Sequence, residues 1–143
     1  MIKPATLLTK PIKTPESGAV DIWFCDPSTI TEPLLLNQYQ QLLPENETAK
    51  YQRYRFQKDQ HAGLITRAFI RSVLSCYGAK MPDQWQFILG EKDKPSLLDN
   101  PQNLQFNLSH TDGLLAAAIT CNNAVGFDAV SYTHLRAHET TSH

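Results

Sequence analysis

Phe106-Asn107-Leu108-Ser109-His110 sets a hydroxyl beside an imidazole, and Asp128 in Gly126-Phe127-Asp128 adds a carboxylate eighteen residues past the histidine. Between them stand two turn signals, Asp112-Gly113 and Asn122-Asn123. Two-residue turns of this kind join antiparallel neighbours, so the three polar groups are expected to share one sheet and converge. Such a trio suits a metal-bound phosphate ligand. It does not suit a serine hydrolase. Adjacent strand side chains point to opposite faces, so Ser109 and His110 are no nucleophile–base dyad. On spacing alone, ordinary strand-end polarity is the favoured explanation of both residues. Asp128, flanked by Phe127 and Ala129, needs a partner: a hard cation such as Mg²⁺, or water at a strand end.

Further cations could serve an anion. Arg67 and Arg71 lie one helical turn apart, where like charges repel by roughly 0.2–0.5 kcal/mol. An anion between them would reverse that sign, and guanidinium forks match phosphate. The alternative, which spacing alone favours, is a solvated face or a bond from one arginine to a carboxylate such as Asp59. Lys94, in the charged turn before Pro95, could meet a phosphate as a point charge; most such turns are simply solvated.

The elements that must position these groups follow from periodicity. Residues 1–18 are rich in Pro, Lys and Thr without a period and are expected to form a loose leader. Val20, Ile22 and Phe24 alternate, which predicts a strand ending at Asp26-Pro27. Thr31 is placed to cap a helix with Pro33 in its first turn and Leu35, Leu36, Tyr39, Leu42 and Leu43 inward. A polar helix is expected over Glu45 to Tyr54. A longer one follows from about Asp59 to Tyr77, with Gly78 as its stop. Its apolar face holds Ile65, Phe69, Ser72, Val73 and Cys76, with Gln60, Arg67 and Arg71 on another. Beyond Pro82 the pattern turns to short strands: around Phe87, Ser96 to Leu98, Leu104 to Leu108, Leu114 to Thr120, and Val125 to Phe127. One strand, three helices and a run of antiparallel strands is an α+β arrangement.

Bulk properties exclude several classes. The chain has 143 residues, 41% hydrophobic and 19% charged, with a net charge of −1. That is enough for one modest core, and it offers no global basic field for nucleic acid or an anionic membrane. Any phosphate site must be local. No apolar run is long enough to span a bilayer, and no apolar signal region opens the chain. Cys25, Cys76 and Cys121 form no CxxC pair, which argues against a disulfide framework or zinc knuckle and for a cytoplasmic protein.

Taken in order, the basic stretch Lys50 to Phe56 with Asp59, Thr66-Arg67-Ala68-Phe69-Ile70-Arg71, Lys94-Pro95, Asn107-Leu108-Ser109-His110 and Gly126-Phe127-Asp128 resemble one family. It is the N-terminal half of the 4′-phosphopantetheinyl transferases of the Sfp type. The resemblance runs from about Val20 to Asp128. It implies helices packed on a mainly antiparallel sheet, one half of a two-half pseudo-symmetric enzyme. It also implies an activity: Mg²⁺-dependent transfer of the phosphopantetheine arm of coenzyme A to a serine of an acyl or peptidyl carrier protein. Fatty acid, polyketide and nonribosomal peptide synthesis use such carriers. By position, the resemblance makes Arg67, Lys94, Ser109 and His110 contacts to the phosphates of coenzyme A, with Arg53 a further candidate. It makes Asp128 a Mg²⁺ ligand. A non-catalytic module binding coenzyme A or a nucleotide phosphate is the competing reading.

The chain departs from the family pattern after Asp128. The pattern Gly-x-Asp-x-Glu expects an acidic ligand where Val130 stands. The stretch Val130 to Thr140 is similar to the translation of a transposase-type sequencing adapter. The organisation expected is therefore a leader at 1–18, the transferase half at 19–128, and a non-native tail at 129–143 set aside in reasoning about the fold. His134 and His138 mimic a metal pair at i, i+4, but in such a tail they carry no weight. The resemblance also implies a second, similar half that supplies another acidic ligand and the general base; lacking these and the ligand at 130, the chain by itself is expected to be inactive.

Overall fold

The computed structural model describes residues 11–16, 18–89, 95–111, 113–122 and 134–139. Among them, strand β1 (Ala19–Cys25) leads into three helices, α1 (Pro33–Leu42), α2 (Glu45–Gln52) and α3 (Gln57–Ser75). Five strands follow: β2 (Gln86–Leu89), β3 (Pro95–Leu98), β4 (Leu104–Thr111), β5 (Leu114–Cys121) and β6 (His134–Glu139). The main sheet has the order β4-β5-β1-β6, and β2 and β3 form a separate antiparallel pair. This is the expected α+β class with a mainly antiparallel sheet.

Local chemistry explains most boundaries. Alternation in β1 buries Asp21, Trp23 and Cys25 toward the helices. Thr31 does not cap α1. The N-cap residue is Glu32, which makes no side-chain cap bond, and Pro33 takes the first helical position, where its missing N–H costs nothing. Pro44 separates α1 from α2, with Leu43 as C-cap of the first and Pro44 as N-cap of the second. Gly78 ends the α3 region with φ at 92°, and a Cβ there would meet Pro11 Cβ at 2.7 Å. Close by, the Ile12 amide donates to the Cys76 carbonyl at 2.9 Å, so this part of the expected leader is docked on the core.

The β4–β5 hairpin forms where Asp112-Gly113 predicts it. Thr111 pairs with Leu114, and Gly113 takes a φ of 73°. β5 then pairs antiparallel with β1, with Ile119 opposite Asp21. The core lies between this sheet and α3, where Ile65, Ala68, Phe69, Val73 and Leu74 meet Trp23, Leu104, Phe106, Leu115 and Ile119. Phe87 of β2 meets Phe106 of β4 edge to face at 5.8 Å, which ties the β2–β3 pair to the sheet.

Residues 134–139, set aside in the sequence reading, add a parallel strand to the free edge of β1. Arg136 stands opposite Asp21 and bonds its carboxylate. His138 stacks on the Trp23 indole with ring centroids 4.2 Å apart. Strand pairing uses the backbone, so it is indifferent to where the codons came from, and reading the DNA across codons 130–140 is the test of the adapter reading: any coding sequence other than the adapter would sink it.

Candidate functional site

The stripe Asp59, Gly63, Thr66, Arg67 and Ile70 recurs at helical spacing along α3 and faces a cavity of about 650 Å³. Opposite it, the alternating residues Phe106, Leu108 and His110 of β4 form a second wall. Ile88 and Leu89 of β2 and Pro95 of β3 close an apolar side. From α2 and the turn after it, Glu47, Lys50, Tyr54 and Arg55 complete a charged side. The size is that of a small-molecule or cofactor site. Its division into an apolar part and a charged part where cations (Lys50, Arg55, Arg67) outnumber carboxylates (Glu47, Asp59) suits a ligand with a phosphate end.

Arg67 and Arg71 behave differently although they share a helix. Arg71 is 1% exposed. Its Nη1 donates to the carbonyls of Pro82 at 3.0 Å and Trp85 at 2.7 Å. Its Nη2 donates to Glu47 Oε2, and its guanidinium lies 5.1 Å from the centre of the Phe87 ring. The expectation of a cation beside Arg67 on a solvated or ligand-binding face is therefore corrected for Arg71, which is a structural strut. The anion between the two arginines is a carboxylate, as one alternative held, but it comes from Glu47 rather than Asp59. Arg67 Nη1 stands 3.6 Å from Glu47 Oε1, and Arg67 lines the cavity.

His110 lines the cavity as well. Ser109 does not; strand alternation turns it to the other face of β4, paired in register with Ala116. Ser109 and His110 thus do not point at one spot. Arg53 is the C-cap of α2, exposed and outside the cavity wall, whereas Lys50 and Arg55 from the same basic stretch are part of it. Lys94 and Asp128 lie outside the described residues, as does the predicted strand Val125 to Phe127. The expected convergence of Ser109, His110 and Asp128 is therefore described only for its first two members. Among the described residues no group of three His, Cys, Asp or Glu side chains gathers to hold a metal ion.

Sequence reasoning assigned no role to Glu47, Lys50 or Arg55. The α3 stripe was a usable signal for the cavity face. Nothing local linked Glu47 to arginines more than a dozen residues away.

The same residues carry the relationship to known proteins. The family described as 4′-phosphopantetheinyl transferase, N-terminal, matches residues 32–122. The slr0495 protein of Synechocystis sp., provisionally named a 4′-phosphopantetheinyl transferase, is 30% identical over 108 residues, covering 75% of this chain and 42% of its own. The 4′-phosphopantetheinyl transferase HetI of Nostoc sp. is 31% identical over 88 residues, covering 60% of this chain and 37% of its own. The matched region is thus less than half the length of either relative. It spans α1 to β5 and with them every wall of the cavity, so this chain belongs to the 4′-phosphopantetheinyl transferase family and carries its N-terminal part.

Proposed function

We propose that the cavity binds the phosphates of coenzyme A. We further propose that the whole protein, two such halves related by pseudo-symmetry, moves the 4′-phosphopantetheine arm to a serine of an acyl or peptidyl carrier protein in the cytoplasm. The observation that supports this is that Arg67 and His110 line one cavity, which has an apolar part and a charged part where Lys50, Arg55 and Arg67 outnumber Glu47 and Asp59. In the proposed reaction the serine oxygen bonds to the phosphorus bearing the pantetheine arm. The bond from that phosphorus to adenosine 3′,5′-bisphosphate breaks, and the serine proton goes to a general base outside this chain.

This chain's contribution is binding and charge. Arg67 presents a planar fork to phosphate oxygens, Lys50 and Arg55 add point and planar charge on the same cavity wall, and Lys94 is a further proposed contact on the strength of the family resemblance. His110 can donate a ring N–H from the β4 wall. Ser109 and Arg53 sit outside the wall and remain proposed contacts for ligand groups that extend beyond it. Mg²⁺ would neutralise charge that grows on the pyrophosphate. The carboxylate proposed to hold the metal is Asp128, as the family resemblance implies and in keeping with the one or two carboxylates Mg²⁺ usually takes; Glu47 is committed to two arginines.

Titration calorimetry with coenzyme A and the 143-residue chain tests the reading. Arg67→Ala is expected to weaken binding on the order of tenfold or more, since a hydrogen bond to a charged group contributes about 1.5–3 kcal/mol. Unchanged affinity would remove the cavity from the proposal. Because Val130 stands where the family pattern has an acidic ligand, and the match covers less than half of each relative, the chain alone is expected to bind without transferring. Coenzyme-A-dependent modification of a carrier protein by this chain would refute that expectation.

A further inference from the structure

Glu47 is a nearly buried carboxylate on the first turn of α2, facing two arginines of α3. We infer that it is a positioning residue for the ligand: one of its oxygens holds Arg71, and the other aims Arg67 into the cavity without using up its N–H donors. The inference rests on the reading of the cavity as a phosphate site.

The two arginines are unequal partners. Arg71 is held on three sides by the Pro82 and Trp85 carbonyls and by Glu47 Oε2. It cannot leave without stranding three acceptors. Glu47 is in turn pinned, because a buried guanidinium needs a neighbouring negative charge. Its second oxygen therefore has a fixed place, and from there it attracts Arg67. At 3.6 Å this is an ion pair and not a hydrogen bond. Arg67, with 27% of its side chain exposed, is thus drawn to one side of the cavity with its fork still available.

The charges make the same point. Two guanidiniums face one carboxylate, and the carboxylate makes its hydrogen bond with the buried one. The excess positive charge is delivered at Arg67, on the cavity wall. An arginine without this anchor would keep its charge but lose its direction. A planar, two-pronged donor depends on direction more than a lysine does.

The length of Glu47 matters to this arrangement. Removing one methylene shortens its reach by about 1.5 Å. With Arg71 immobile, the shortened carboxylate follows Arg71 and releases Arg67. Glu47→Asp should therefore weaken anion binding although the ligand does not touch residue 47.

A double-mutant cycle on the 143-residue chain tests the inference, with inorganic pyrophosphate as the probe in calorimetry at low salt. Glu47→Asp and Arg67→Ala are each expected to lower affinity about tenfold, and the double variant to be no weaker than Arg67→Ala alone. Independent effects that multiply to about a hundredfold would overturn the inference. So would a Glu47→Asp variant that melts earlier yet binds pyrophosphate as before. Glu47→Gln serves where Glu47→Asp does not fold. It keeps the length and an oxygen for Arg71 while removing the charge that draws Arg67. Weaker binding by it supports positioning; tighter binding means that Glu47 only competes with the anion, and sinks the inference. Failure of the cavity reading looks different: pyrophosphate then binds wild type and Arg67→Ala equally, or binds neither.

Discussion

At the scale of single residues, the two α3 arginines differ by burial more than by sequence position. Arg71→Ala leaves Glu47 without its hydrogen-bonded partner and strands the carbonyls of Pro82 and Trp85. Breaking one side of a buried ion pair costs about 3–5 kcal/mol, so urea unfolding of Arg71→Ala should show a loss of that size. Arg67 is partly solvated and makes no hydrogen bond to Glu47. Its removal should cost less than about 1 kcal/mol of stability while weakening ligand binding. Equal stability losses in the two variants would contradict this division. Tyr77 is a third case. Its hydroxyl donates to the fully buried Asp21 at 2.5 Å and accepts from the Trp23 indole at 2.9 Å. Tyr77→Phe removes a hydrogen bond to a charged group and orphans the indole N–H, so a loss of about 1.5–3 kcal/mol is expected in thermal or urea unfolding.

At the scale of elements, the approach of α2 to α3 shapes the charged side of the cavity. It depends on Gly63. A Cβ there would lie 2.8 Å from Tyr51 Cβ and 3.0 Å from the Tyr54 ring. The ring can turn, but a Cβ moves only with its helix. In an exposed helix Gly→Ala would gain about 1 kcal/mol of propensity. Here overpacking, typically about 1–3 kcal/mol, opposes that gain and pushes the helices apart. Gly63→Ala is expected to lower the melting temperature and weaken coenzyme A binding together. A melting temperature that rises would show that the helices have room. The elements themselves were largely legible in the sequence. Alternation in β1, β4 and β5, the helical stripe of α3, and Asp112-Gly113 are signals within a few residues of one another. Thr31 misled because a proline at the first helical position can begin a helix without a side-chain cap.

At the scale of the whole molecule, burial of protonated groups sets a limit on the alkaline side. Burial pushes the Cys76 thiol up to about 12 from its ordinary 9.0. Burial, with a smaller contribution from Cys25, pushes Tyr39 up to about 12 from 10.0. Tyr77 is raised further still, by burial first and then by its bond to Asp21. The folded pKa is the higher one in each case, so above about pH 9 the unfolded chain binds fewer protons than the folded one. The stability these groups contribute is fully present below pH 9 and is lost as pH climbs toward 12. Urea midpoints should be level from pH 7 to 9 as far as these groups are concerned and fall beyond that. Tyr39→Phe should make the fall shallower. A flat profile to pH 11 would contradict this account of the buried core.

The sequence by itself determined the α+β class, the hairpin at Asp112-Gly113, the order of family motifs, and Arg67 and His110 as candidates. All rest on short-range patterns that hold whatever the rest of the chain does. Tertiary structure alone decided that Arg71 is a strut, that Glu47 links two arginines, and that Lys50 and Arg55 rather than Arg53 line the cavity. It also decided that His134–Glu139 pairs with β1. Those outcomes depend on which helix faces meet and which strand edge is open. An ion pair between residues 47 and 71 has no periodicity to betray it; it exists because α2 packs on α3 and sets Glu47 against the buried Arg71 guanidinium.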